Sequence, residues 1–383
     1  MAAPPSTTNS ATPEFSFPVR ASALTVGHPP RRRFAGVNLK SCELQHPLAD
    51  RLVREALGTL APHDTRSYPV LTEVRERLGA HHGVPAEGVL LTAGSDTAIG
   101  LLVDAFAAPA GRLILPEPSF DAWRYYTRLR GVPVTGVRQI RGQPPRLDGA
   151  DLFGAVRTRP PSVVALTNPA GLSGLPVPLE EVALLADACE RHGHLLVIDE
   201  CYGVYADMTH VPLLADHPRL VVVRSYSKSH ALAGARIAVV FAGKDIAGHL
   251  AGYRPDSTVS GPALALLSAL LDRTAEFAEV WDDVRAIREE FADAVERVRP
   301  GWRRLEPGGN FVTFHTGSTS EPALVERALL DEGFRIRALT GFPGLSECLR
   351  ISLADRPVMR RVVDLLAGPV PGKAAHPPVR GGR

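Results

Sequence analysis

Lys228 is the residue whose type and setting most invite chemistry. It stands in the run Arg224-Ser225-Tyr226-Ser227-Lys228-Ser229-His230-Ala231-Leu232-Ala233-Gly234-Ala235-Arg236, between two apolar stretches, 220–223 and 237–241, that read as buried strands. The chain has four lysines, Lys40, Lys228, Lys244 and Lys373, among 43 basic residues. Of these, Lys228 alone is placed where apolar strands would desolvate it. Desolvation disfavours an ammonium, and a neutral amine is a nucleophile able to form a Schiff base with a carbonyl. Two further stretches fit such a site. The apolar run 195–198 ends in Asp199-Glu200-Cys201-Tyr202, and open α/β sheets bind ligands at the carboxyl ends of their strands. Gly94-Ser95-Asp96 comes after the apolar run 89–91 and opens a helix. Free N–H groups and the helix dipole make such a start a phosphate site. Each stretch also has an ordinary explanation: a surface lysine in a Ser-rich loop, an aspartate capping a turn, a helix N-cap.

The elements needed to position these residues are legible in the hydrophobic pattern. Helical spacing of Leu48, Leu52, Val53 and Leu57 predicts a helix over 47–60, and a second helix is expected over 70–78, ended near Gly79, with 64–69 as a break. Strands are expected at 89–91, 112–115, 132–137, 162–167, 195–198 and 220–223, alternating with helices at 95–107, 119–129 and 179–192. This alternation predicts an α/β fold with a mostly parallel sheet covered on both faces. From Gly261 the pattern changes to long helices over 262–271 and 276–298, strands at 310–314 and 349–353, and a last helix over 357–366. The expected division is a flexible tail at 1–33, a large domain at 61–260, a smaller α+β domain from 34–60 with 261–370, and a second tail at 371–383.

With 383 residues, 45% apolar and 22% charged, the composition is that of a globular protein of one large or two modest domains. A net charge of +2 without an arginine–aromatic stripe argues against nucleic acid as a partner. No apolar run approaches a membrane span. Cys42, Cys189, Cys201 and Cys348 are scattered, which suits a reducing cytoplasm and gives no zinc or disulfide framework. The triplet Arg31-Arg32-Arg33 lacks the apolar core that an export signal needs, because Asn38 and Lys40 interrupt the stretch Phe34–Lys40 next to it.

The run 224–236 resembles the lysine motif of fold-type I pyridoxal phosphate (PLP) enzymes. More narrowly, it is similar to the Ser-Lys-x-x-x-Leu-Ala-Gly-x-Arg motif of the histidinol-phosphate aminotransferase group. The resemblance implies a large domain with a mostly parallel seven-stranded sheet, a smaller α+β domain and a homodimer. It implies that Lys228 forms the Schiff base with the cofactor and that Ser225, Ser227 and Arg236 hold its phosphate with Gly94, Ser95 and Asp96. Hydroxyls and a guanidinium fork suit a phosphate dianion. Asp199 would pair with the pyridinium nitrogen and keep it protonated. Tyr202, in the Asp-Glu-x-Tyr motif, and Asn168, in the turn Thr167-Asn168-Pro169-Ala170-Gly171, would donate to the phenolate oxygen. Phe120 corresponds to the aromatic that stacks on the ring, with core packing as its plainer reading. Tyr68, in Arg66-Ser67-Tyr68-Pro69, would reach the phosphate of the neighbouring subunit. Arg350 matches the arginine that holds a substrate carboxylate, and Arg337 a second C-terminal arginine.

Two departures stand out. Ala170 replaces the threonine of the family's Asn-Pro-Thr-Gly turn. The Asn-Glu-Asn-Pro segment near the substrate reads Cys42-Glu43-Leu44-Gln45, which argues for a substrate other than histidinol phosphate. The sequence therefore points to a PLP-dependent aminotransferase acting on an amino acid or related amine in amino-acid or specialised biosynthesis. A decarboxylase, an oxidase or an elimination/cyclisation enzyme on the same fold is the alternative.

Overall fold

In the computed structural model, which describes residues 33–368, seven strands form one sheet in the order Val89–Thr92, Ala238–Ala242, Leu220–Ser225, Leu195–Asp199, Val163–Thr167, Leu113–Glu117, Val134–Arg138. Ala238–Ala242 runs antiparallel to both neighbours, and every other pairing is parallel. The central strands Val163–Thr167 and Ala238–Ala242 are buried along their whole length, as expected where helices cover both faces. The tails expected at 1–33 and 371–383 lie outside the described residues, except for Arg33.

The helix Leu179–His192 shows how local sequence builds this layer. Val182, Leu185, Ala186 and Cys189 recur at helical spacing and are buried. Glu180 and Glu181 occupy the first turn and Arg191 and His192 the last, matching the helix dipole. Gly193 ends the helix in the left-handed conformation that glycine adopts without strain.

A four-stranded antiparallel sheet, in the order Arg303–Arg304, Phe311–His315, Cys348–Ser352, Arg337–Ala338, forms the second unit. The long helix Thr274–Val298 and the last helix Arg356–Ala367 pack against one another beside it. Val37–Asn38 pairs in parallel with Phe334–Arg335. The next residue is stitched down on both sides: Leu39 N–H donates to Arg335 O at 2.8 Å, and Leu39 O accepts from Ser352 N–H at 2.9 Å. Residues 37–42 are thereby laid along the small sheet toward the large one.

Several boundaries differ from expectation for identifiable reasons. The helix Thr72–His82 ends at Gly83, with φ 68°, and not at Gly79. A Cβ on Gly79 would lie 2.5 Å from Val84 O, so that glycine permits a close approach inside the helix. The break expected at 64–69 begins with a short helix, Pro62–Arg66, whose Asp64 carboxylate accepts from Ala61 N–H at 2.8 Å. The helices Ala150–Thr158 and Glu321–Asp331 have no counterpart among the expected elements. Lys244–Tyr253 buries only Ala247 and Leu250, too few apolar positions to announce a periodicity.

Candidate active site

Strand register brings the candidate residues to one end of the large sheet. Thr167 lies opposite Asp199, and Asp199 opposite Val223, on three adjacent parallel strands. Asn168, Tyr202 and Lys228 come immediately after those strand ends. The antiparallel strand enters from the same end: Ala238 pairs with Ser225 on one side and Thr92 on the other. Gly94, Ser225 and Arg236 are therefore neighbours although they are far apart in sequence.

Gly94 adopts φ 85° and caps the helix Ser95–Leu102 with no side-chain bond to its first N–H groups. A Cβ on Gly94 would sit 2.5 Å from Nη2 of Arg236. Arg236 itself takes a left-handed φ of 57° and donates to Asp96 Oδ2 at 3.2 Å. Ser225 caps the four-residue helix Tyr226–Ser229, accepting from Ser227 N–H at 3.2 Å, and both serines are buried. Helix-start N–H groups, two hydroxyls and a guanidinium thus stand at one end of the sheet, donors of the kind that suits a phosphate dianion.

Lys228 is half-buried, not enclosed between the flanking strands as expected, because it sits on the short helix beyond the strand end. Its Nζ donates to Ser41 O at 2.6 Å. Among the described residues no carboxylate pairs with it. Asp199 is 3% exposed, and its Oδ1 accepts from Cys201 N–H at 3.2 Å. Burial pushes its carboxyl up to about 6, against the opposing hydrogen bonds from Cys201. Tyr202 stacks edge-on against Phe311, with ring centroids 5.3 Å apart. Burial, and then the adjacent Cys42 thiol, push the Tyr202 hydroxyl up, so it remains a donor at neutral pH.

Asn168 is fully buried. Its Oδ1 accepts from Val177 N–H at 2.8 Å, and its Nδ2 lies 2.9 Å from Val177 O and 3.0 Å from His210 Nε2. The amide is engaged with the protein on every side.

Arg350, 4% exposed, bridges the two units. It donates to Gly171 O and, at 2.6 Å, to Lys40 O, and its guanidinium lies 5.0 Å from the Phe311 ring centroid. Its Nε is buried without a partner among the described residues. Arg337 faces Arg350 across the sheet and reaches Asp121 at 3.8 Å. Burial, and then Arg350, lower its guanidinium. Phe120 is 42% exposed at the start of the helix Asp121–Arg130, so it is not a core residue. Tyr68 is 89% exposed, away from any packed layer. A cleft of about 880 Å³ opens elsewhere, lined by Pro176, Tyr205, Met208 and Arg288 among others, and contains none of the candidate residues.

The family described as "Aminotransferase class I and II" matches residues 36–366. The chain belongs to this family. It is 31% identical over 322 residues to a histidinol-phosphate aminotransferase of Xanthomonas euvesicatoria, covering 79% of this chain and 84% of the relative. Its fold is that of a histidinol-phosphate aminotransferase from Sinorhizobium meliloti solved with pyridoxal 5′-phosphate, with a TM-score of 0.78 and 24% identity, covering 94% of this chain and 96% of that one. An L-threonine-O-3-phosphate decarboxylase from Porphyromonas gingivalis has the same fold, with a TM-score of 0.71 and 20% identity over 86% of this chain and 98% of that one.

The residues fit pyridoxal 5′-phosphate, the cofactor in the Sinorhizobium meliloti structure. The Gly94–Arg236 cradle is open where a Cβ would fill it. Asp199 is a buried carboxyl whose hydrogen bonds come from the neutral backbone N–H and thiol of Cys201, so a protonated ring nitrogen would supply the positive charge it lacks. Sequence reading missed the backbone carbonyls of Lys40, Ser41 and Gly171, the Cys42 thiol and His210. Carbonyl contacts leave no trace in residue type. His210 was detectable only through Glu200, an acid next to Asp199 in a buried run and in need of partners.

Proposed function

We propose that the chain is an aminotransferase acting on an α-amino acid or related amine, with Lys228 as the residue that binds the cofactor aldehyde. The observation that carries this reading is the state of the Lys228 amine. It is half-buried, held by one neutral carbonyl and paired with no carboxylate among the described residues. Such an amine can reach a carbonyl carbon without breaking an ion pair. Asp199 would keep the ring nitrogen protonated, and the buried Tyr202 hydroxyl would donate to the phenolate oxygen. Gly94, Ser95, Asp96, Ser225, Ser227 and Arg236 would hold the phosphate. The exposed Phe120 ring would lie flat against the cofactor.

Arg350 would take the substrate carboxylate in its guanidinium fork, exchanging backbone carbonyls for a charged partner, with Arg337 beside it. Bound there, the cofactor supplies an electron sink for the charge left at the substrate's Cα. Lys228 Nζ would take the substrate's Cα proton and hold it for return. Cys42 and Leu44, where the family has asparagines, are both buried, which supports a substrate other than histidinol phosphate. The enzyme would work as a cytoplasmic homodimer.

The test is a panel of amino acids mixed with the PLP-loaded protein. Pyridoxamine 5′-phosphate and a stoichiometric oxo acid are the expected products. Release of carbon dioxide with retention of the aldehyde form identifies a decarboxylase, and uptake of oxygen an oxidase.

A further inference from the structure

Arg288 sits where a positive charge is costly. It lies on the helix Thr274–Val298, is 7% exposed, and lines the cleft of about 880 Å³ that opens away from the candidate active site. Its guanidinium has N–H hydrogens on Nε, Nη1 and Nη2. Nη1 donates to Tyr205 O at 3.1 Å and to Gly309 O at 3.0 Å, and Nε reaches Glu289 Oε1 at 3.4 Å. Nη2 has no partner among the described residues, yet it is not one of the orphaned atoms sealed inside the protein. Its hydrogens therefore open to the cleft. Burial lowers the guanidinium, and Glu289 offsets that only in part. The Glu289 carboxylate is 53% exposed and shared with Arg304, so solvent screens much of its charge.

The other charges of the cleft do not compete for the same role. Arg285 is paired with Asp282, and Arg304 with Glu289, Asp293 and Glu296. Arg146 and the lining carboxylates Glu181, Asp207 and Glu306 are all exposed, where water solvates them. Buried Pro145, Leu175 and Leu305 supply apolar wall. A cleft of this size, mostly walled by carbon with a buried donor inside, has the make-up of a small-molecule site.

We propose that the cleft is a second ligand site, for a small organic carboxylate that lays its apolar body on Pro145, Leu175 and Leu305 and its oxyanion on the Nη2 edge of Arg288. A carboxylate there gives the buried guanidinium the charged acceptor that its two carbonyl partners do not. None of the residues proposed to hold the cofactor lines this cleft, so the site stands apart from the attachment at Lys228.

The test is calorimetric titration of the PLP-loaded protein with 4-phenylbutyrate and with 4-phenylbutyramide, which keeps the body and loses the charge. The acid is expected to bind about tenfold or more tighter than the amide. Gly149→Trp puts an indole into the cleft. Gly149 lines it and holds φ −79°, which any residue adopts, and a Cβ there would meet the Phe153 ring at an ordinary 3.6 Å. This variant should lose the cleft binding and keep the wild-type visible absorbance. Arg288→Gln should bind the acid about tenfold more weakly and no longer distinguish it from the amide. Acid bound at Arg350 instead would survive Gly149→Trp, so binding retained in full by that variant overturns the proposal. Equal binding of acid and amide, no binding of the acid, or acid binding unchanged in Arg288→Gln overturns it as well. If Arg288→Gln does not fold, the amide comparison and Gly149→Trp decide.

Discussion

Asp199 is ionised at neutral pH only against the preference of its surroundings. A carboxyl raised from 3.8 to about 6 by burial corresponds to roughly 3 kcal/mol of lost stability above both values. The folded chain binds this proton more tightly than the unfolded one, so stability is lost as pH rises from about 4 through 6. Cofactor-free Asp199→Asn is therefore expected to resist urea better than cofactor-free wild type at pH 8, with the difference closing by pH 4. Loading with cofactor should reverse the order at pH 8, because the ring nitrogen then balances the charge. Arg350 offers a second test at this scale. Replacing its fork by the single ammonium of Arg350→Lys should raise KM for an amino-acid donor roughly 10- to 100-fold, with a smaller change in kcat. Residue type and strand setting singled out Lys228 and Asp199, whereas Arg350, one among many arginines, was singled out only by the family resemblance. Their environments were less legible. Lys228 proved half-buried and Arg350 nearly enclosed, since burial depends on elements that arrive from elsewhere in the chain.

At the level of elements, the proposed phosphate cradle depends on two residues with positive φ, Gly94 and Arg236. Gly94→Ala would impose backbone strain of about 1–2 kcal/mol and push a methyl toward Arg236 Nη2, 2.5 Å away. Absorbance titration should show PLP affinity reduced about tenfold or more. The alternation of strands and helices was readable because buried parallel strands are short apolar runs between amphipathic helices. The segment 39–42 was not. Its Lys40 and Ser41 carbonyls meet Arg350 and Lys228, and the Cys42 thiol accepts from Ser352 Oγ at 3.3 Å across 310 positions of chain. Nothing in its local sequence encodes those partners. Cys42 also holds φ 54°, a left-handed position that asparagine occupies more readily than most side chains.

For the whole molecule, the exposed pair Tyr68 and Val70, 89% and 74% accessible, marks a surface where a second copy is expected. Sedimentation should give twice the chain mass. If Tyr68 serves the partner's phosphate, Tyr68→Ala and Lys228→Ala chains, each inactive alone, should regain activity when refolded together, because one site of the hybrid keeps both residues. A monomer in solution would contradict this. The strands of the seven-stranded sheet precede Gly261 and those of the four-stranded sheet follow it, but nothing in the pattern marked the contacts that join the sheets through Arg350 and Gly171. Every role assigned at this site depends on one bond, between the cofactor aldehyde and the amine of Lys228. With only four lysines in the chain, borohydride reduction of the PLP-loaded protein and then peptide mapping read it directly. The pyridoxyl group should be found on the peptide carrying Lys228. Its recovery on Lys40, Lys244 or Lys373, or on no lysine, would contradict the assignment.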